Sequence, residues 1–313
     1  MRPPAVDPTA LPRAGALTDA LLAPADMPAT ADGAAVRSQC LAIFDQLAEG
    51  CPPGERLRVD GYLLRTVALE PGRLETVDGF RWSPRTARRL VGLKGVRHCI
   101  RGACRTPTDG VAKALAEAFD DVAEGRQRPG SLGHWLTTLQ PGGLAVVRAE
   151  AVTWATGFLG ALQWVRLGRP SLVAGPDQWW SLPKDPAVSI RGRAEVRAAL
   201  PEAAGESVHH RARRPSALFV VMNGRPWPGA RHELSLPALV SVLAHPSERV
   251  PERVVGWWPQ CGRSQILPVD GPLLESTAQA VVGAIRAVAM ARGWPRLAGD
   301  VTAVRNAGTR TTI

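Results

Sequence analysis

The sequence has few cysteines and lacks the spacing of a metal-binding module. Its five cysteines, at positions 40, 51, 99, 104 and 261, form no CxxC pair and leave an odd count. A disulfide framework and a zinc module both need paired or clustered cysteines, so neither is expected. The GxxxxGKS, GxSxG and strand-linked GxGxxG signatures are also missing. The common nucleotide-binding and serine-hydrolase classes are therefore excluded.

Long apolar runs are missing as well. No stretch approaches the roughly 20 apolar residues that cross a bilayer, and residues 1–15 lack the apolar centre of a signal peptide. We therefore expect no membrane partner and a cytoplasmic location.

Basic residues are abundant, and nearly all of them are arginine. The formal net charge is +10, and only Lys94, Lys113 and Lys184 of the 38 basic residues are lysine. Clustered cations bind phosphates by releasing counterions, so this charge favours a nucleic-acid partner. The amino-acid usage of a GC-rich genome is an alternative source of the arginines. The position of the charge is therefore more informative than its sum.

The hydrophobic pattern predicts an α/β protein with a helical N-terminal half. Residues 1–33 are expected to be a disordered or loosely packed leader, and 34–170 a helical segment with a small β-hairpin at 56–77. An α/β core is predicted over 171–296, beginning with an irregular connection at 176–186, and 297–313 form a tail.

Local signals predict individual elements inside these segments. Ser83-Pro84 is a helix start, with Ser as the cap and Pro at the first helical position, and Asp270 begins the last helix. Residues 144–165 have the periodicity of a long helix. Residues 253–258 and 264–269 are predicted to pair as a hairpin.

Two further strands are predicted between residues 188 and 222. Residues 188–197 alternate apolar and polar side chains, which is typical of a strand with one polar face, and Glu195 falls on that face. Residues 217–222 are apolar throughout, as in a strand that is buried on both faces. Between Glu206 and Glu233 there is no other Asp or Glu.

This order of elements, over residues 83–290, resembles the RecB-like branch of the PD-(D/E)XK nucleases. Residues 192–195, Gly-Arg-Ala-Glu, are similar to the GxxD motif of that family, and 224–226, Gly-Arg-Pro, resemble the turn after its (D/E)xK motif. Glu233 and Pro237 fall where Gln and Tyr are usual. The resemblance implies a PD-(D/E)XK-like mixed sheet flanked by helices.

The resemblance also implies a metal site that this sequence supplies only in part. The family uses two carboxylates to hold Mg²⁺ and a Lys to orient the attacking water. In register with Gly224, the second acid falls on Val220 and the Lys on Met222. No metal-ligand set and no cofactor is therefore predicted, and Mg²⁺ is expected only if the chain is an active nuclease. The Cys cluster of iron–sulfur members of the branch is missing too.

Two carboxylates are the candidate catalytic residues, Glu195 and Glu233, with Glu150 as a more distant source of an acid. The alternative for Glu195 is a surface-facing carboxylate that pairs with Arg193 or Arg197.

A stripe of basic residues, which we call the cation stripe, lies along the helix that starts at Ser83. The segment from Arg81 to Arg105 includes eight Lys or Arg residues and no Asp or Glu. We expect this stripe and the arginines of the strands to contact phosphates, and Trp82 to stack on bases. The residues assigned to this surface are Arg85, Arg88, Arg89, Lys94, Arg97, Arg191, Arg193, Arg213, Arg214 and Trp82. A solvated basic face without a ligand is the alternative.

The sequence thus predicts a catalytically inactive, DNA-binding protein with a nuclease-like fold, acting in DNA repair, recombination or defence. An active Mg²⁺-dependent DNA nuclease that uses Glu195 and an unaligned acid is one alternative. A non-enzymatic scaffold within a DNA-processing or defence complex is the other.

Overall fold

The computed structural model describes residues 33–47, 50–76, 82–127, 129–162, 172–174, 177–199, 216–222, 224–246, 249–259, 261 and 263–298. The predicted leader apart from Gly33 and the predicted tail from residue 299 onward lie outside these ranges. Arg81, Arg213 and Arg214, from the predicted basic surface, also lie outside them.

Helices precede, interrupt and follow the strands in a mixed α/β fold. The helices are α1 (Gly33–Phe44), α2 (Gly61–Leu69), α3 (Pro84–Ile100), α4 (Pro107–Ala123), α5 (Leu132–Thr137), α6 (Pro141–Ala161), α7 (Ala230–Ala244), α8 (Gly271–Ala291) and α9 (Pro295–Ala298). The strands are β1 (Leu57–Val59), β2 (Leu172–Ala174), β3 (Asp177–Ser181), β4 (Val188–Arg193), β5 (Val196–Ala199), β6 (Ser216–Val221), β7 (Arg253–Trp258) and β8 (Arg263–Pro268). The predicted α/β class is confirmed at this level.

The described strands form two mixed sheets that meet where β4 passes into β5. In the three-stranded sheet β4 lies between β1, which is parallel to it, and β3, which is antiparallel. The five-stranded sheet has the order β2-β5-β6-β7-β8, in which β6 and β7 are parallel and the other neighbours antiparallel. The predicted hairpin of β7 and β8 is confirmed.

Helix starts follow the predicted capping chemistry. The Ser83 side chain accepts a hydrogen bond from the Thr86 backbone N–H at 3.2 Å, and Pro84 occupies the first turn of α3. Asp270 caps α8 in the same way, through the Leu273 N–H at 2.8 Å. Each cap satisfies one backbone donor that the helix itself leaves without a partner.

The central strand β6 is buried on both faces, as its apolar sequence predicts. Leu218 and Val220 lie in a core shared with α1, α2, α7 and α8, whereas Phe219 and Val221 lie in a core shared with α3, α4 and α6. Helices therefore cover both sides of the five-stranded sheet.

Two glycines let α7 approach the sheets closely. A Cβ on Gly192 of β4 would lie 2.7 Å from Val240 Cβ and 2.9 Å from Pro237 Cα. A Cβ on Gly256 of β7 would lie 2.4 Å from a methyl carbon of Leu234. The glycine of the Gly-Arg-Ala-Glu motif is therefore needed for helix–sheet packing.

Two predictions of local structure are wrong. The β-hairpin predicted at 56–77 is a short strand, a helix and a 3₁₀ turn (Pro71–Thr76), because Asp60 caps α2 through the Leu63 N–H at 3.0 Å. The irregular connection predicted at 176–186 contains β3, which pairs with β4 along its whole length. Nearby prolines and charged residues conceal the alternation of this short strand in the sequence.

The last long helix, α8, is long and apolar enough by itself to cross a membrane. The sequence-based statement that no long apolar run is present misses this segment, because Glu275 and Arg286 interrupt its run of apolar residues. In the fold its apolar stripe is in the core, with Leu274, Val281 and Ile285 inaccessible to solvent.

Candidate functional site

A cavity of about 400 Å³ lies where α3 crosses the junction of β4 and β5. The end of β6 and the first turns of α2 and α7 complete its wall. Its charged lining residues are Asp60, Arg89, Arg191, Arg193, Glu195 and Glu233. The structure therefore brings together both candidate catalytic acids and three of the predicted phosphate-binding arginines. With Asp60, the cavity is lined by three acidic and three basic side chains.

The junction of β4 and β5 turns the side chain of Glu195 into the protein. β4 pairs with β3 as far as Arg193, and β5 pairs with β6 from Val196 onward. Across this break the even-numbered residues change from one core to the other, with Ala194 in the first and Val196 in the second. Glu195 lies at the change of face and is only 3% exposed.

The Glu195 carboxylate accepts a hydrogen bond that a neighbouring strand would otherwise accept. Its Oε2 receives the Val221 backbone N–H at 2.8 Å, and its other oxygen lies 3.6 Å from Arg193 Nε. The Glu195 backbone N–H donates to the Phe219 carbonyl at 2.8 Å. Since a buried backbone N–H must find an acceptor, this carboxylate has a structural role at the end of the β5–β6 ladder.

Arg89 of α3 satisfies the other backbone group of Val221. Its Nη2 donates to the Val221 carbonyl at 2.7 Å. Burial lowers the pKa of Arg89 below its ordinary value, and the charge of Glu195 opposes that shift. The guanidinium remains charged at any working pH, so it compensates the buried carboxylate.

The predictions for Glu195 are partly corrected by this geometry. A surface-facing carboxylate is wrong because the break in the strand buries it, but the expected pairing with Arg193 is confirmed. Arg197 instead has its guanidinium 3.4 Å from the Ser241 hydroxyl. The described residues contain no group of three or more His, Cys, Asp or Glu side chains that could hold a metal ion.

The resemblance would place the second acid at Val220 and the lysine at Met222, and the structure buries both of these apolar side chains. Val220 and Met222 line the cavity and are 7% and 2% exposed. Neither side chain offers an oxygen to a hard cation or a charge to a water molecule.

Glu233, on the first turn of α7, is held by neighbours of its own. Its Oε2 accepts the indole N–H of Trp227 at 3.1 Å and lies 3.5 Å from Arg65 Nε. Burial raises the pKa of its carboxyl, and the Arg65 charge and the Trp227 hydrogen bond oppose the shift without cancelling it. Pro237, four residues on, has no N–H to donate to the Glu233 carbonyl within the helix.

The cation stripe does not form one surface, because α3 presents its residues in several directions. Arg85 is exposed, whereas the guanidinium of Arg88 lies 2.7 Å from the Glu150 carboxylate on α6. Arg89 points inward. Glu150, the more distant candidate acid, is therefore engaged in an ion pair.

Three other assigned residues of this surface are half-buried. Two of them, Lys94 and Arg97, lie on the later turns of α3. Burial, and to a smaller extent repulsion from Arg193, lowers the pKa of Arg97 below its ordinary value. Trp82 donates its indole N–H to the Gly130 carbonyl at 2.7 Å and lines the cavity. This bond fixes the ring beside the cavity.

A second cluster, which the motif comparison missed, lies on the outward face of the three-stranded sheet. Arg191 donates two hydrogen bonds to Asp177, at 2.7 and 2.6 Å, and its guanidinium lies 5.3 Å from the ring centre of Trp179. Arg58 lies 5.8 Å from the same ring. Burial acts to raise the pKa of Asp177, but the Arg191 hydrogen bonds and charge outweigh it and hold the pKa below its ordinary value. The available sequence signal was the Trp179-Trp180 pair, but the segment was predicted to be an irregular connection, so no face of a strand was assigned to either ring.

A comparison with protein-family models gives no match for this chain, and no curated protein is significantly similar to it in sequence.

Proposed function

We propose that the protein is a non-catalytic nucleic-acid-binding protein built on a PD-(D/E)XK-type core. The order of elements supports the core assignment. Helix α6 precedes the strands β3 to β6, in which β3 pairs antiparallel with β4 and β5 pairs antiparallel with β6. Helix α7 then connects β6 to β7, and these two strands are parallel. The Gly-Arg-Ala-Glu motif ends at the break between β4 and β5, next to the cavity.

The arrangement around Glu195 is the observation that carries the non-catalytic assignment. Its carboxylate is engaged by the Val221 N–H and by Arg193, and Val220 and Met222 lie where the family chemistry needs an acid and a lysine. Mg²⁺ needs near-octahedral coordination by oxygen ligands, and because it usually keeps several of its waters, its site must also leave room for them. A single buried carboxylate that already has hydrogen-bonded and charged partners does not meet this requirement.

The distribution of arginine supports a polyanionic ligand on the surface outside the cavity. Within the cavity three arginines face three carboxylates, so the lining has no net charge. The positive excess lies outside, at exposed residues that include Arg56, Arg58 and Arg85. DNA is the ligand that we assign to this surface, in repair, recombination or defence, with a protein partner in the same process.

Salt dependence of DNA binding is the test of the binding assignment. Fluorescence anisotropy with labelled DNA at increasing salt should give a steep, linear fall of log affinity with log salt concentration. Arg85→Ala should weaken binding and reduce the slope by about one unit, as expected for the loss of one phosphate contact. Arg263→Ala on the edge strand β8 is the charge-matched control and should change neither. No binding at low salt would refute the assignment.

Cleavage assays test the absence of catalysis. With Mg²⁺ or Mn²⁺ present, the protein should bind labelled DNA and leave it intact. Metal-dependent cleavage that is abolished by Glu195→Gln would establish the active nuclease instead. A stable protein partner that copurifies in the absence of any DNA affinity would support the scaffold.

A further inference from the structure

The three-stranded sheet exposes an aromatic side chain next to two arginines on its outward face. Val188, Ile190 and Gly192 of β4 point into the core beneath α7, so the alternate residues of the strand point outward. On this outward face lie Arg58 of β1, Ser189 and Arg191 of β4, and Asp177, Trp179 and Ser181 of β3. A shallow hollow of about 570 Å³ lies over the face and is lined by Trp179, Arg58 and Arg56 among others. We call this surface the Trp179 platform.

The Trp179 side chain is 44% exposed, so its ring is accessible to a ligand, and neighbouring side chains restrict its orientation. Its direct cross-strand neighbour is Arg191, and the two hydrogen bonds from Arg191 to Asp177 fix the guanidinium near the ring. Arg58 approaches the ring from β1, the strand on the other side of β4. A rigid aromatic side chain loses little conformational entropy when it binds a flat ligand.

The charge and shape of the platform are complementary to a single nucleic-acid strand. The hollow is lined by two arginines, Arg56 and Arg58, and none of its described lining residues is Asp or Glu, so the face attracts phosphates. In a single strand the faces of the bases are open to stacking on aromatic side chains, whereas a duplex conceals them. The hollow is within the size range of sites that accept a ligand of nucleotide size.

We infer that the Trp179 platform binds single-stranded DNA, with a base stacked on Trp179 and phosphates at Arg56 and Arg58. The choice of DNA rests on the function proposed above. Arg191 belongs both to this platform and to the wall of the cavity that holds Glu195. A strand that leaves the platform along β4 therefore passes the mouth of that cavity.

The test compares labelled oligothymidine, a duplex of equal length and oligouridine in anisotropy titrations of the full chain. The protein should bind oligothymidine more tightly than the duplex. Trp179→Ala should weaken oligothymidine binding about 5- to 150-fold, the effect of losing one stacked base, and leave duplex binding unchanged. Trp179→Phe should recover most of the affinity because it keeps an aromatic face. Arg263→Ala is the control outside the platform.

Each result bears on the two proposals separately. Equal affinity of wild type and Trp179→Ala for oligothymidine would overturn the platform and leave the proposed function standing. Preference for oligouridine would overturn the choice of DNA. Absence of binding to any strand at low salt would refute both. Circular dichroism of the alanine variant checks that its fold is intact, and the phenylalanine variant tests the platform even if that fold is disturbed.

Discussion

Glu195 supplies the hydrogen-bond acceptor that the β-ladder lacks at Val221. Its replacement by Ala would leave a buried N–H without an acceptor and remove a carboxylate from between Arg89 and Arg193. Breaking a buried ion pair from one side costs about 3–5 kcal/mol, so we expect a loss of this order in the free energy of unfolding. Urea denaturation measures it.

The matched variants separate this structural role from a catalytic one. Glu195→Gln keeps an oxygen for the Val221 N–H and should be less destabilising than Glu195→Ala. Glu150→Ala removes a half-exposed partner of Arg88 and should cost no more than about 1 kcal/mol. Unchanged stability of Glu195→Ala together with a loss of metal-dependent cleavage would contradict the structural role.

Glu233 should make stability depend on pH. Burial raises its folded-state pKa above the unfolded value, so the folded protein binds the proton more tightly than the unfolded chain. The stabilising contribution of the protonated carboxyl is complete below the unfolded pKa and is lost as pH rises through the folded pKa. In Glu233→Gln this dependence should disappear, and the stability of the variant relative to wild type should increase from acid to neutral pH.

Urea midpoints of both proteins between acid and neutral pH measure the effect. If the stability of the variant relative to wild type were constant with pH, Glu233 would ionise normally in the fold, and if it fell from acid to neutral pH, the folded-state pKa would be lowered instead of raised. Glu252→Gln is a control at another half-buried, ion-paired glutamate outside the cavity.

At the scale of elements, α7 depends on the two glycines of the strands beneath it. Gly192→Ala would place a methyl group 2.7 Å from Val240 Cβ and 2.9 Å from Pro237 Cα, so that α7 must move away from β4. Overpacking of this kind costs about 1–3 kcal/mol. Gly283→Ala on the exposed side of α8 meets no atom within 4 Å and should stabilise the protein by up to about 1 kcal/mol. Thermal melts of the two variants should therefore shift in opposite directions, and an unchanged Gly192→Ala melt would contradict the close approach.

Elements with strong local signals could be predicted from the sequence. The caps at Ser83 and Asp270 and the apolar run of β6 depend on residues that are close together in the chain. In contrast, the position of Glu195 depends on a change of sheet between Ala194 and Val196, and the alternating pattern continues through it unchanged. Two-residue periodicity predicts the side of a strand but does not detect a break at which the strand changes faces.

The candidate site was predictable in composition and only partly in geometry. The sequence identified Glu195, Glu233 and the arginines, and the fold brings them to one cavity. The sequence-based prediction assigned Arg88 and Arg89 to the same phosphate-binding surface. The identity of two adjacent arginines does not indicate which of them faces the protein interior. Arg88 pairs with Glu150 across two helices, whereas Arg89 donates to a strand 132 residues away in sequence.

At the scale of the molecule, the helices before residue 162 and the sheet after residue 172 share a core. Phe158 of α6 lies 5.3 Å from Phe219 of β6 and 5.8 Å from Trp257 of β7, as distances between ring centres, and it is inaccessible to solvent. Without the helical segment, one face of the central strands would be exposed. The boundary predicted at residue 170 therefore separates two parts of the sequence that share one hydrophobic core. We expect these two parts to unfold together.

Denaturation of Phe158→Ala tests this cooperativity. The substitution should lower the free energy of unfolding by about 3–5 kcal/mol, because it leaves a cavity next to Phe219 and Trp257. Helical circular dichroism and tryptophan fluorescence should still report one coincident transition at a lower urea concentration. Val146→Ala, on the exposed side of the same helix, should change stability by no more than about 0.5 kcal/mol. If only one of two separate transitions moved in Phe158→Ala, the helical segment would be an independent domain, and the cavity between α3 and the strands would lie at a domain interface.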